Sequence, residues 1–215
     1  MICGVDEAGR GPVIGPLVVA GICIDNDEKL RELGVRDSKK CTPKKREELD
    51  LEIRKIAKCE LIVLPAIEID LLRNEMSLNI IEAKLFSSVI ERLHPQIAYV
   101  DSADTNEEKF AQYIHSEIGN KIEIISKHKA DENYPVVSAA SIIAKVKRDA
   151  EIKKIENEIG IPIGSGYPSD SVTINFLEKW IKEKGSVPPY TRSSWSTIIK
   201  IQNKYLGIKL EDWNR

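Results

Sequence analysis

Two adjacent acids near the start of the chain, Asp6 and Glu7, follow the apolar residues Ile2 and Val5 and precede Ala8-Gly9. Neighbouring carboxylates at the end of a buried strand repel one another and lose their hydration, so stability gives no reason to place them there. A divalent cation does. Consecutive strand side chains point to opposite faces, so both acids reach one ion only where the strand ends, and Ala8-Gly9 offers such an ending. The competing reading is a pair of solvated acids at a strand tip. Asp101 closes a second apolar run, Ile97-Ala98-Tyr99-Val100, and ligands of open α/β sheets gather at the carboxyl ends of strands. Asp131 lies just before Tyr134-Pro135, near a helix start whose dipole favours an ionised carboxylate. For Asp101 and Asp131 the alternative is a helix cap. Three or four converging carboxylates without a useful His or Cys select a hard cation. Mg²⁺ takes oxygen ligands, keeps several waters and completes its shell with substrate phosphate. The chemistry expected is two-metal phosphoryl transfer. No Gly-x-x-x-x-Gly-Lys loop occurs in the chain, which argues against nucleoside triphosphate hydrolysis.

Other residues suit substrate contact. In Gly9-Arg10-Gly11, glycine lets backbone amides come close to a phosphate or sugar; the plainer reading is a turn. Lys39 and Lys40, with Lys44-Lys45-Arg46, form one basic cluster, and Lys145, Lys147 and Arg148 form another. Either could be a solvated face. Tyr167 stands in the loop Gly164-Ser165-Gly166-Tyr167-Pro168-Ser169-Asp170, placed to stack on a base or sugar or simply to pack beneath its own loop.

These residues need a scaffold. Residues 1–7 read as a buried strand, and residues 13–24 as a second with a bulge at Gly15-Pro16, the two close enough for an antiparallel hairpin. Thr42-Pro43 with Glu47 starts a helix over residues 44–57. A third strand is expected at 61–67, then helix over 69–93 interrupted near 74–77, a strand at 97–101, a helix at 107–118 and a strand at 122–126. Pro135 suits the first turn of a helix running to about residue 159. From the third strand onward, the alternation implies parallel strands with right-handed crossovers. Gly164-Ser165-Gly166 is a candidate boundary between a domain at 1–165 and a helical extension at 166–215, with helices over 171–184 and 194–205.

Composition narrows the class. With 215 residues, 42% hydrophobic, 31% charged and a formal net charge of −2, the chain can bury a core unaided. It is not a bulk polycation, so nucleic-acid binding would need charge gathered on one face. No apolar run of roughly 18 residues is present. The start Met1-Ile2-Cys3-Gly4-Val5-Asp6 lacks a basic leader region, so a cytoplasmic location is expected; the chain is also expected to be a monomer. Cys3, Cys23, Cys41 and Cys59 have no zinc-site spacing and are expected reduced. Abundant Ile, Lys and Glu with little Gln is a bias of hyperthermophile proteins.

Taken in order, Gly4-Val5-Asp6-Glu7-Ala8-Gly9-Arg10-Gly11-Pro12, Asp37-Ser38-Lys39-Lys40, Asp101, His128-Lys129-Ala130-Asp131, the segment 137–149 and the segment 164–170 resemble the motifs of the ribonuclease HII family, with wording nearest to archaeal members. The resemblance implies a ribonuclease H-like α/β fold: a mixed five-stranded sheet flanked by helices, with a C-terminal helical extension. It implies hydrolysis of the RNA strand of RNA/DNA hybrids, and incision 5′ of single ribonucleotides in duplex DNA, leaving 5′-phosphate and 3′-hydroxyl ends. By the same resemblance Asp6, Glu7, Asp101 and Asp131 hold Mg²⁺ or Mn²⁺, while Gly9-Arg10-Gly11 and Tyr167 recognise the 2′-hydroxyl and the adjoining sugar. Lys39, Lys40, Lys145 and Arg148 are expected to hold substrate. A sliding clamp is a conceivable partner, although the end Glu211-Asp212-Trp213-Asn214-Arg215 carries no clear clamp motif. Rival readings are a junction resolvase of the same fold and a non-catalytic nucleic-acid binder with a structural ion.

Overall fold

The computed structural model describes residues 1–35 and 41–207. Its five strands are β1 (Ile2–Ala8), β2 (Leu17–Ile24), β3 (Lys58–Leu64), β4 (Ile97–Asp101) and β5 (Glu123–Lys127). They form one mixed sheet in the order β3-β2-β1-β4-β5. β1 is antiparallel to β2, and β4 is parallel to both β1 and β5. The expected parallel pairing holds for β4 and β5. β3 differs: it lies at the far edge beside β2, not next to β4.

The described residues separate into two compact units, and neither is a continuous stretch of chain. The first comprises Met1–Ala8, Val18–Val63 and Met76–Lys147; the second comprises Gly9–Leu17, Leu64–Glu75 and everything from Arg148 onward. This partition differs from a single break at 165–166, because two segments from the N-terminal half belong with the C-terminal helices.

In the first unit, the two-residue period of the strands splits the side chains between two cores. Val18, Ala20 and Ile22 join a core with Val136, Val137, Ala140 and Ile143 of α7 (Pro135–Ile159) and Leu49 and Ile53 of α2 (Pro43–Ile56). Cys3, Val5, Val19 and Cys23 join Phe86 and Val89 of α4 (Leu78–Leu93) and Phe110 and Ile114 of α5 (Glu107–Ile118). Two glycines set the closeness of these layers. A Cβ on Gly4 would stand 2.2 Å from the Val136 carbonyl carbon, and one on Gly21 would stand 2.3 Å from Val89 Cγ1. Thr42 caps α2 by accepting from Lys45 N at 3.2 Å, with Pro43 in the first turn.

The second unit packs α3 (Ala66–Arg73), α8 (Ser171–Lys184) and α9 (Ser196–Leu206) with residues 9–17. Its core holds Val13, Ile14, Ile152, Ile155, Phe176, Leu177, Ile181 and Ile198. Here the expected second strand is corrected. Strand pairing starts at Leu17, not at residue 13, because Val13, Ile14 and Gly15 spend their amides on Gly166 O (2.8 and 3.3 Å) and Tyr190 O (2.9 Å). Pro16 has no amide to offer. The third strand ends at Leu64, since Pro65 becomes the N-cap of α3 and takes Ile67 into the helix. Two short helices, α1 (Glu28–Glu32) and α6 (Ala130–Asn133), carry no pattern long enough to be read from sequence.

Candidate active site

Asp6 sits one residue past Val5, which pairs in register with Val100, so Asp6 and Asp101 leave the parallel β1–β4 ladder side by side. β1 does not end there. It continues beside β2 with Asp6 opposite Ala20, Glu7 opposite Val19 and Ala8 opposite Val18. The expected strand ending at Ala8-Gly9 therefore comes one residue beyond the acidic pair. Asp6 is only 5% exposed, whereas Glu7 is half-buried. Burial first, then the charges of Glu7 and Asp101, push the Asp6 carboxyl well above the usual range; a hydrogen bond from Ser141 and the Lys145 charge pull it back in part. Asp6 Oδ1 also accepts from Glu7 N at 2.7 Å.

Asp101 makes the contact expected of a cap as well. Its Oδ1 accepts from Ala130 N at 2.8 Å and so anchors the start of α6. Asp131, the next residue along, is buried in the first turn of that helix. Lys129 reaches α6 through a left-handed conformation, φ 55 and ψ 38, which only a local constraint would hold in a non-glycine residue. Glu7 and Asp101 thus each act on Asp6 electrostatically, and Asp131 follows Ala130, whose amide is bonded to Asp101. Asp104 has a different role: it accepts from Asn79 Nδ2 (2.7 Å) and Asn106 N (3.0 Å), which lowers its pKa.

The donor set is all oxygen. His128, close by in sequence, contacts Thr105 O through Nε2 at 3.2 Å. Among the described residues no three such groups are drawn tightly enough to enclose an ion unaided. Mg²⁺ does not require that, because it dehydrates reluctantly and binds through one or two carboxylates plus substrate oxygens. A carboxylate whose ionisation is opposed by burial and two like charges fits a cation, which would relieve all three at once. Lys145 lies near Asp6, with Nζ bonded to Ser141 Oγ at 2.7 Å. Ser141 was not singled out as a site residue; its signals were its place in the segment 137–149 and the i, i+4 spacing to Lys145 on one helix face.

The second unit holds the Gly9-Arg10-Gly11 segment and Tyr167. Gly9 has φ +90, and a Cβ there would meet Pro16 O at 2.5 Å, so only glycine fits. Gly166 is similar, with φ +82 and Ile14 O at 2.7 Å from a notional Cβ. The Tyr167 ring lies against Gly11, 3.6 Å from where a Cβ would be, and is 36% exposed. The Arg148 guanidinium stands 4.9 Å from the centre of that ring. Arg148 is not part of a solvated basic face: it is buried, donates to Ser165 O and pairs with Asp149 at 3.2 Å. Lys39 and Lys40 lie outside the described residues. Arg192, Asp70 and Trp195 also belong to this unit and gave no signal in the sequence, because isolated charged and aromatic residues near helix ends are usually surface features.

The ribonuclease HII family model matches residues 3–198. The ribonuclease HII of Methanoregula boonei is 48% identical over 198 residues, covering 92% of each chain. Among solved structures, the ribonuclease H2 of Pyrococcus horikoshii superposes with a TM-score of 0.89 at 44% identity, covering 96% of this chain and 99% of that one. Ribonuclease HII of Archaeoglobus fulgidus, solved in complex with PCNA, gives a TM-score of 0.88 at 42% identity, covering 99% and 100% of the two chains.

Proposed function

The chain belongs to the ribonuclease HII family and is an endonuclease of the ribonuclease H type; we propose that it cuts the RNA strand of RNA/DNA hybrids and also nicks duplex DNA on the 5′ side of a single embedded ribonucleotide. The observation that carries this reading is the buried Asp6 carboxylate opposed by Glu7 and Asp101. Two Mg²⁺ or Mn²⁺ ions held by Asp6, Glu7, Asp101 and Asp131 would activate the attacking water and neutralise charge on the departing 3′-oxygen. Ser141 and Lys145 orient Asp6 and temper its repulsion. The backbone of Gly9-Arg10-Gly11 and the Tyr167 ring recognise the ribose, whose 2′-hydroxyl separates RNA from DNA. Since that hydroxyl is used for recognition and not as nucleophile, the products carry 5′-phosphate and 3′-hydroxyl ends. Lys39, Lys40, Lys145 and Arg148 complete the substrate contacts, Arg148 through Tyr167 and the 165–166 backbone.

On this reading the enzyme acts in DNA replication and repair, in the cytoplasm; no helix among the described residues is long and apolar enough to cross a membrane. A sliding clamp is the partner suggested by the Archaeoglobus complex. The reading is tested by offering the enzyme a DNA duplex with one ribonucleotide and, separately, a four-way DNA junction. Cleavage of the first alone supports it. Cleavage of the junction at a comparable rate would identify a resolvase, and binding without turnover in Mg²⁺ would identify a non-catalytic binder.

A further inference from the structure

Arg192 is fully buried, and among the described residues its guanidinium bonds to no carboxylate. Its guanidinium donates instead to three backbone carbonyls: Nη2 to Gly9 O at 2.6 Å, Nη1 to Arg10 O at 2.9 Å and Nε to Gly15 O at 3.0 Å. Its own amide donates to Val13 O at 2.8 Å, and Thr191 bridges to Ile14. One residue therefore clasps the 9–15 segment at both ends. The clasp is itself held. Asp70 of α3 accepts from Ser193 N (2.6 Å), Ser194 N (3.2 Å) and Ser194 Oγ (2.6 Å). The Trp195 ring lies 4.9 Å from the Arg192 guanidinium and 4.7 Å from that of Arg73.

In a trans peptide the carbonyl of one residue and the N–H of the next point in opposite directions, and no peptide bond among the described residues is cis. Fixing Gly9 O and Arg10 O on Arg192 therefore turns the N–H groups of Arg10 and Gly11 away from it. Those are the amides of the ribose-reading segment. We propose that Arg192 is a positioning residue for sugar recognition, which locks the Gly9-Arg10-Gly11 peptides in the orientation that presents their amides to the 2′-hydroxyl. This rests on the reading that the segment contacts the ribose. The planar fork is essential, because lysine offers a compact point charge that cannot meet three divergent acceptors. Burial, with the Arg148 charge nearby, lowers the Arg192 pKa to about 9, so the side chain keeps its proton at neutral pH.

The test compares wild type with Arg192→Lys in Mg²⁺. Two quantities are read: kcat/KM on a duplex with one ribonucleotide, and the inhibition constant of the same duplex made wholly of DNA. A misplaced reading segment should lower kcat/KM about tenfold or more, while the all-DNA competitor, held by phosphate contacts, changes less than about twofold. Asp70→Asn, a gentler loosening of the same clasp, should move in the same direction by less, which keeps the test alive should Arg192→Lys fold poorly. A parallel loss in both quantities, or no loss in either, overturns the proposal. If the wild-type protein leaves single ribonucleotides uncut, the proposed reaction fails instead. Amide hydrogen exchange at Arg10 and Gly11 then decides the matter: faster exchange in Arg192→Lys upholds the positioning role, and unchanged exchange refutes it.

Discussion

The two units treat their buried charge in opposite ways. In the first, the Asp6 carboxylate is buried beside two like charges, which the Glu7 amide, the Ser141 hydroxyl and Lys145 offset in part. In the second, the buried Arg192 has three carbonyl acceptors, and Asp170 caps its loop by accepting from Ser165 N (2.7 Å) and Val172 N (2.9 Å). An unfavourable charge waits for a ligand to complete it; a satisfied one fixes a backbone in place. On the proposed reading the contrast separates two tasks: chemistry belongs to the group in tension and recognition to the group at rest.

The contrast can be probed first through glycines. Gly4→Ala would drive a Cβ into the α7 backbone, where nothing flexible can yield. It should cost about 3 kcal/mol or more and abolish activity, read by denaturant unfolding. Gly11→Ala meets only the Tyr167 ring edge at ordinary contact distance and should fold normally while cutting poorly. A well-folded Gly4→Ala protein would show that α7 is not seated on β1 as described.

The next effect is the cation. Mn²⁺ at about 100 times its dissociation constant should stabilise the protein by about 2.7 kcal/mol, a rise of roughly 5–10 °C in Tm for a chain of this size. Asp6→Asn should remove most of that rise, and Arg192→Lys should not. An equal rise in Asp6→Asn would place the ion elsewhere.

Tyr167→Ala comes third. Stacking is worth roughly 1–3 kcal/mol, so cleavage at a single ribonucleotide should fall about tenfold, with a smaller effect on Tm because the ring is partly exposed. An unchanged rate would reduce Tyr167 to a packing partner of Arg148.

Much of this was legible in the chain. The strand 97–101 and the helices 107–118, 135–159 and 171–184 end where their apolar periods and caps do. The four proposed acids lie within two residues of an element's end, a position that leaves a trace in local sequence. The division into units could not be read, since residues 9–17 and 64–75 join partners far away in the chain. Arg192 was equally invisible: its acceptors are carbonyls 177 to 183 residues distant, and a backbone carbonyl has no sequence signature.

The smallest predicted effect concerns pH. Because the folded protein raises the Asp6 pKa, it binds that proton more tightly than the unfolded chain. The metal-free protein should therefore lose stability as pH climbs from the ordinary carboxylate range through the raised value. Asp6→Asn should flatten this slope and lift the metal-free Tm at neutral pH by about 2–4 °C per kcal/mol of relieved repulsion. A metal-free Asp6→Asn protein less stable than wild type would mean that the carboxylate is structural.

The decisive measurement is cleavage of a DNA duplex holding one ribonucleotide, in Mg²⁺, by wild type and Asp6→Asn, with both product ends identified. Wild type should nick on the 5′ side of the ribonucleotide and leave 3′-hydroxyl and 5′-phosphate ends. Asp6→Asn should bind the duplex with near-normal affinity and cut it at least about a thousandfold more slowly. A 2′,3′-cyclic phosphate product, or near-normal turnover in Asp6→Asn, would contradict a reaction centred on the buried carboxylate.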